Sequence, residues 1–102
     1  MDWYASTNQQ IEIQLGKRLQ QLRLAYNLTQ DELSTRTGLS RMSISKIERG
    51  KGAQLSSLIE LLRALQILEN LEQLIPKQEI SPMELIKLKN KKKRQRASSK
   101  PK

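Results

Sequence analysis

The chain has 102 residues, enough for one small domain, and carries a net charge of +9 at pH 7. It contains neither Cys nor His, which excludes disulfides, thiolate metal sites and the commonest general base, so we expect no metal and no other cofactor. No apolar run approaches the roughly 20 residues that span a bilayer, and the N-terminus lacks a signal peptide's charged and apolar regions, so we expect a cytoplasmic protein.

The first predicted helix runs from about Asn8 to Tyr26 and follows an N-terminal arm of residues 1–7. Its apolar residues recur at spacings of four, four and three, the period of one helix face: Ile11, Leu15, Leu19 and Leu22. Gly16 interrupts this pattern at a cost of about 1 kcal/mol relative to Ala, so we expect another helix to approach closely there. Within the arm, the aromatic pair Trp3 and Tyr4 is either loose or docked on the body.

Two short helices joined by a tight turn are predicted next, at about Gln30–Thr37 and Arg41–Arg49. Asn27 suits the left-handed residue that ends the preceding helix, and Thr29 to Glu32 has the spacing of a capping box. Gly38 supplies the positive φ that the turn between the two helices needs. The second helix has one apolar face and one that is polar, basic and short of acids. Such a pair indicates a helix-turn-helix.

Two further helices are predicted at Leu55–Leu65 and Leu68–Ile75, and Pro76 ends the second. Their apolar residues cover a wider face than one core needs, which predicts burial against a second copy of the chain. The predicted dimer interface consists of Leu68, Leu71, Leu74 and Ile75. We therefore assign residues 8–76 to a helix-turn-helix and dimerisation domain.

Residues 77–102 are predicted to be a basic and largely disordered tail. One short helical turn is expected at Met83–Leu88. The run from Asn90 to Lys102 has Ala97 as its one apolar residue, and it cannot bury enough surface to offset the entropy of ordering.

The distribution of charge carries more information than its sum. Nine of the 19 Lys and Arg residues lie in 87–102, which contains no acid, so the other 86 residues are neutral overall. Within that neutral body, Lys17 to Lys51 has an excess of +5. The candidates for phosphate contacts in the tail are Lys91, Lys92, Lys93, Arg94 and Arg96. An acidic protein partner and a merely solubilising tail are the alternatives.

The stretch from Leu15 to Gly50 resembles the Cro/C1-type (XRE) helix-turn-helix family of bacterial and phage DNA-binding proteins. The matching features are the segments LTQDEL and GLS, the run SRMSISKIERG, and Arg23 in the preceding helix. The resemblance extends to about Ile75 and implies an all-α bundle of five helices. It also implies a buried structural bridge between Arg23 and Glu48. Gln66 stands where related sequences often place Gly, so the break before the fifth helix is weakly marked.

DNA binding by this family needs side chains that reach base edges from the second helix of the motif, the recognition helix. Arg41 and Lys46 have donors for guanine O6 and N7, and Met42 has an apolar end for a thymine methyl group. The resemblance gives Gln30 a phosphate bond and a role in bracing the recognition helix. The predicted DNA-binding set is Gln30, Ser40, Arg41, Met42, Ser43, Ser45, Lys46, Arg49 and Lys51.

These features predict a homodimeric, nucleoid-associated repressor that binds a palindromic double-stranded operator. Residues 74–98 further resemble HipB-like antitoxins, which implies an autorepressor of a toxin–antitoxin operon with a HipA-type kinase as its partner. The alternatives are a stand-alone phage- or plasmid-type repressor and a small basic RNA-associated protein. An enzyme finds no support, because the carboxylates are scattered and the sequence has no phosphate-binding Gly loop.

Overall fold

The computed structural model describes residues 1–78 and 81–98, and side chains only as far as residue 91. Within these ranges the chain is helical and has no strand, which confirms the predicted all-α class. The elements are α1 (Asn8–Ala25), α2 (Gln30–Thr37), α3 (Arg41–Glu48), α4 (Leu55–Ala64), a 3-10 turn (Leu68–Asn70), α5 (Leu71–Leu74) and α6 (Pro82–Ser98). The chain divides into two compact units, Met1–Asn70 and Leu71–Lys102.

The core of the first unit is aliphatic, as the absence of Phe requires. Its buried apolar residues are Leu28, Leu33, Ile44, Ile47, Leu61 and Leu65, which α2, α3 and α4 supply together with the α1–α2 connection. Helix α1 packs on α3 at Gly16, where a Cβ atom would lie 2.5 Å from the carbonyl oxygen of Ile47. The close approach predicted from Gly16 is therefore confirmed.

Capping boxes begin three of the helices. The Oγ1 of Thr7 accepts from Gln10 N–H at 3.1 Å, and the Oγ1 of Thr29 accepts from Glu32 N–H at 3.0 Å. In each box the longer side chain returns a hydrogen bond to the capping residue's own N–H. Ser81 and Glu84 make the same reciprocal pair at the start of α6. Two orphan backbone donors are satisfied at each of these helix ends.

Three helices end in the same way, with one left-handed residue and a pair of reversed backbone hydrogen bonds. The left-handed residues are Asn27 (φ 56°), Gly50 (φ 73°) and Gln66 (φ 60°), after α1, α3 and α4 respectively. After α4, Gln66 N–H donates to Arg63 O at 3.1 Å and Ile67 N–H donates to Leu62 O at 2.9 Å. This is the Schellman arrangement, which Gly adopts most easily. The break at Gln66 is thus formed without Gly.

The C-terminal elements differ from the sequence prediction in two places. The predicted helix Leu68–Ile75 is divided into the 3-10 turn and α5, because Asn70 N–H donates to Ile67 O in the tighter 3-10 pattern. Helix α6 covers Pro82–Ser98, whereas one turn at Met83–Leu88 and a disordered run from Asn90 were predicted. A capping box and a Pro at the first helical position start α6, and Lys, Arg and Gln sustain it with no Gly or Pro inside. Residues 99–102 lie outside the described part of the chain.

The predicted N-terminal arm contains a turn that returns toward α1. Ser6 Oγ donates to Asp2 O at 2.7 Å, and the Arg18 guanidinium lies 5.2 Å from the centre of the Trp3 ring. Of the two placements left open by the sequence, Trp3 is docked on the body, whereas Tyr4 is fully exposed. Among the described residues, no helix has the length and apolar character needed to cross a membrane.

Candidate nucleic-acid interface

Helix α3 buries one face and exposes the other. Ile44 is 0% exposed and Ile47 is 6% exposed, so these two residues anchor the helix in the core. On the opposite face Arg41, Met42 and Lys46 are exposed, and Met42 retains 73% of its accessible surface. An exposed Met of this kind on a short, anchored helix suits a contact surface rather than a core.

Small side chains shape the beginning of α3. Ser40 Oγ caps the helix by accepting from Ser43 N–H at 3.0 Å, and it also donates to Ser43 Oγ at 2.9 Å. Ser43 and Ser45 are half-buried, so neither stands out from the helix surface. The backbone of α3 can therefore approach a partner closely along this face.

A buried network fixes α3 relative to α1 and α2. Arg23 Nε and Nη2 donate to the two carboxylate oxygens of Glu48 at 2.6 and 3.0 Å, and Arg23 Nη1 donates to Leu28 O at 2.7 Å. Gln30 Nε2 donates to Glu48 Oε1 at 3.1 Å. The predicted Arg23–Glu48 bridge and the bracing by Gln30 are thus both present.

The same pair is electrostatically matched. The side chains of Arg23 and Glu48 are 8% and 4% exposed, so the charge of each is compensated by the other rather than by water. The hydrogen bonds that Arg23 donates to Glu48 raise the pKa of Arg23 above its ordinary value, with burial opposing the effect. Arg23 therefore stays charged, and its fixed fork of donors holds the orientation of α3.

Two hollows flank α3. The first hollow has a volume of about 540 Å³ and is lined by Arg23, Leu24, Asn27, Leu28, Thr29, Gln30, Asp31 and Arg41. The second hollow has a volume of about 440 Å³ and is lined by Ser43, Lys46, Ile47, Lys51, Gly52, Ala53, Gln54 and Ser57. The exposed face of α3 thus stands between two depressions, with Arg41 at the border of the first and Lys46 at the border of the second, a shape that suits insertion into a major groove.

Comparison with known protein families identifies the family of this chain. A helix-turn-helix family model matches residues 19–69, which covers α2, α3 and α4 together with the C-terminal part of α1. The chain belongs to the Cro/C1-type (XRE) helix-turn-helix family. Members of this family are DNA-binding transcription regulators, so this chain is one as well. A search of curated proteins found no match to the chain.

The XRE motif contains three acids between Lys17 and Lys51, and each has a cationic or hydrogen-bonding partner. Glu48 is paired with Arg23 in the core, and Glu32 accepts from Thr29 N–H in the capping box of α2. That hydrogen bond lowers the pKa of Glu32 below its ordinary value. Asp31 Oδ1 lies 3.7 Å from Arg41 Nε on the surface. Because each acid already has a partner within the motif, the remaining Lys and Arg residues leave the motif with an excess of positive charge.

Sequence reasoning missed several residues at this XRE interface. Asp31 was not singled out, although it lines the first hollow beside two of the predicted contact residues, Gln30 and Arg41. Gln54 and Ser57 line the second hollow beside Lys46 and Lys51. The signal that would have found Gln54 is its place as the N-cap of α4, where its side chain makes no capping bond and leaves the first amides of the helix without that partner.

The other predicted site residues are less closely gathered. Arg49 and Lys51 are exposed just after α3, and Arg49 Nε donates to Ser45 O at 3.2 Å. Among the residues predicted to form a dimer, Leu68 and Leu71 are half-buried, whereas Leu74 and Ile75 are 59% and 79% exposed. In the tail, Lys91 is exposed. The remaining tail candidates have side chains outside the described part: Lys92, Lys93, Arg94 and Arg96.

Proposed function

We propose that this XRE-family regulator is a repressor that binds one specific double-stranded operator in the cytoplasm as a homodimer. The observation that carries the proposal is the anchored, exposed face of α3 between the two hollows. A major groove admits an α-helix, and each base pair there presents a distinct pattern of donors and acceptors. Bases are read where side chains on such a helix reach them in a fixed orientation.

Base readout is assigned to the exposed face of α3. Arg41 and Lys46 supply donors for guanine O6 and N7, and Met42 supplies an apolar contact for a thymine methyl group. The half-buried Ser43 and Ser45 leave room for the helix to sit deep in the groove. The buried Arg23–Glu48 pair keeps this face in one orientation and takes no part in the contact itself.

Phosphate contacts are assigned to the borders of the two hollows. Gln30 opens α2 on one side, where the helix N-terminus favours an anion. On the other side Lys51 is exposed and lines the second hollow with Gln54, the N-cap of α4, and Arg49 is exposed just after α3. Such contacts set the register of α3 on the duplex and add affinity without reading sequence.

A homodimer is part of the proposal because one recognition helix reads too few base pairs for useful specificity. Two copies related by a two-fold axis read two half-sites about one helical turn apart. The second unit of the chain offers an apolar surface for this purpose, since Leu74 and Ile75 are largely exposed in the single chain. Leu68 and Leu71 extend the proposed interface.

A second role is proposed for the C-terminal segment. The resemblance of residues 74–98 to HipB-like antitoxins supports a partnership with a HipA-type kinase, whose operon this protein would repress. A neighbouring kinase gene, and co-purification of that kinase with the full chain, would support this role. A stand-alone repressor would have neither.

Selection of bound sequences from a pool of random duplexes tests the main proposal. We expect one enriched, pseudo-palindromic sequence with half-sites about 10 base pairs apart. Protein carrying Arg41→Ala serves as the control, because it should lose the preference at one position of each half-site and keep its fold. A duplex pool that shows no enriched sequence, together with equal or tighter binding of RNA, would contradict the proposal in favour of an RNA-associated protein.

A further inference from the structure

We propose that Asp31 is a specificity-determining residue: its carboxylate aims Arg41 at base edges and penalises contact with phosphate alone. The inference rests on the proposed DNA-binding function and adds one residue to it. Asp31 would therefore increase the ratio of operator affinity to random-duplex affinity, although it makes no favourable contact with DNA itself.

The first step is the geometry of the pair. Asp31 lies in the first turn of α2 and Arg41 is the first residue of α3, and their charged groups are 3.7 Å apart across the first hollow. The carboxylate faces the Nε edge of the guanidinium. The two terminal nitrogens of Arg41 are therefore the part left for a partner, and their fork matches guanine O6 and N7.

The fold accounts for little of the contact between Asp31 and Arg41. As an acid in the first turn of α2, Asp31 complements the helix dipole, a small contribution that does not require Arg41. The side chains of Asp31 and Arg41 are 73% and 67% exposed, and exposed pairs contribute little to stability. The two other acids of the motif have structural duties, Glu48 in the buried bridge and Glu32 in the capping box. Asp31 also lies beside Gln30, a proposed phosphate contact, where a negative charge opposes binding to any duplex.

Arg41 has different partners on random duplex and on the operator. On random duplex an unrestrained Arg settles on the nearest phosphate, because the guanidinium binds phosphate in two-point fashion. Asp31 makes that position unfavourable by drawing Arg41 away and by repelling the phosphate. At the operator Arg41 keeps Asp31 on one edge and gains the base on the other. The carboxylate therefore weakens random binding more than operator binding.

Asp31→Asn in the full chain tests this reasoning, because it removes the charge and keeps the shape. We expect affinity for random duplex to rise about threefold to fivefold at about 0.1 M salt, while affinity for the operator stays level or falls. Discrimination should drop by about fivefold or more. The matched control is Glu60→Gln, which breaks a similar exposed pair on α4, where Glu60 Oε1 lies 3.8 Å from Arg63 Nε. It should leave discrimination unchanged.

A double-mutant cycle separates orientation of Arg41 from simple repulsion. In an Arg41→Ala background, Asp31→Asn should strengthen binding to both duplexes by the same factor and change discrimination no further.

An equal rise in affinity for both duplexes when Arg41 is present would overturn the inference. An equal loss of discrimination in Glu60→Gln would overturn it as well. A fall in helix content with weaker binding to both duplexes would mark Asp31 as a helix-stabilising residue and also overturn it. If the unmodified protein prefers no duplex sequence, the proposed function itself fails.

Discussion

At the scale of single residues, two ion pairs join helix α3 to its neighbours, one buried and one exposed. Loss of either partner of the buried pair would leave an uncompensated charge in the core, at a cost of about 3–5 kcal/mol. This pair was open to prediction because Arg23 and Glu48 belong to a family pattern at fixed spacing. The exposed pair was not, since Asp31 and Arg41 lie on different helices and no periodicity links them.

Replacing Arg41 or Lys46 by Ala tests which side chains read bases. Each change should weaken operator binding by about 1–3 kcal/mol and relax the preference at one position of each half-site, because a base-edge donor is lost. The fold should persist, since both side chains are exposed. Binding titrations against single-base variants of the operator give the measurement. Arg63→Ala, which removes an exposed cation from α4, should leave the preference profile unchanged.

At the scale of the elements, helix boundaries could be predicted where a short sequence pattern marks the end of a helix. The capping box at Thr29 and the left-handed turn at Gly38 were visible as short patterns, and the structure contains both. The extent of α6 was missed because composition alone was weighed, and the box formed by Ser81 and Glu84 was not recognised. The 3-10 turn before α5 has no equivalent signal, since its apolar spacing also fits a continuous helix.

Gln66→Gly should stabilise the protein. Gln66 has φ 60°, a left-handed conformation that costs a residue with a Cβ atom about 1–2 kcal/mol. Gly removes this cost, but it also gives the unfolded chain more conformational freedom, which offsets part of the gain. We therefore expect a gain of about 0.5–1 kcal/mol in the free energy of unfolding, measured by urea denaturation. Asn27→Gly is the matched comparison and should gain less, because Asn tolerates the left-handed region. A loss of stability in Gln66→Gly would show that its side chain has a structural role.

Acid should weaken the start of α2 through Glu32. The backbone hydrogen bond from Thr29 places the pKa of Glu32 below its ordinary value of 4.5, so the folded protein binds fewer protons at this site than the unfolded chain does. The stabilisation is therefore complete above about pH 5 and is lost as pH falls through the lowered pKa. Glu32→Gln should remove this part of the pH dependence and keep the capping bond. Urea midpoints of both proteins between pH 3 and 7 would show it, and parallel curves would contradict it.

At the scale of the whole molecule, the two units differ in how far their apolar side chains are buried. The first unit has an aliphatic core and a positive motif, whereas the second unit leaves most of its apolar side chains exposed, among them Ile75 and Met83 at 79% and 70%. Because large exposed apolar patches mark interaction sites, we propose this surface as the dimer interface. The sequence predicted a dimer interface at Leu68–Ile75 from an excess of Leu and Ile, and this stays a prediction, because association with a partner leaves no pattern in a single chain.

Leu74→Glu should give a monomer. Leu74 is 59% exposed, so the charge is tolerated in the single chain and opposes burial against a second copy. The variant should hold a half-site weakly and lose the cooperative gain of two half-sites, as measured by sedimentation and by binding to full and half operators. Tyr4→Glu is the control, since Tyr4 is fully exposed, lies in the first unit and lines neither hollow. If the unmodified protein sediments as a monomer both free and on DNA, the dimer proposal is wrong.

The basic tail distinguishes two mechanisms by their dependence on salt. If Lys91 to Arg96 contact phosphates, each contact releases counterions, and log K falls by about 0.9 per phosphate for each decade of salt. Removing residues 87–102 should then weaken binding to operator and random duplex alike and flatten the salt slope by several units. Replacing the five cations by Gln is the matched variant, because Gln sustains a helix and removes only charge. Discrimination between the duplexes should persist in both variants, since phosphate contacts carry no sequence information.

If the tail instead binds an acidic protein, both variants will keep the original slope on DNA and lose capture of that protein. We favour the phosphate mechanism, because nine cations follow residue 86 and no apolar residue larger than Ala follows Leu88. An identical slope with and without the tail would decide against it.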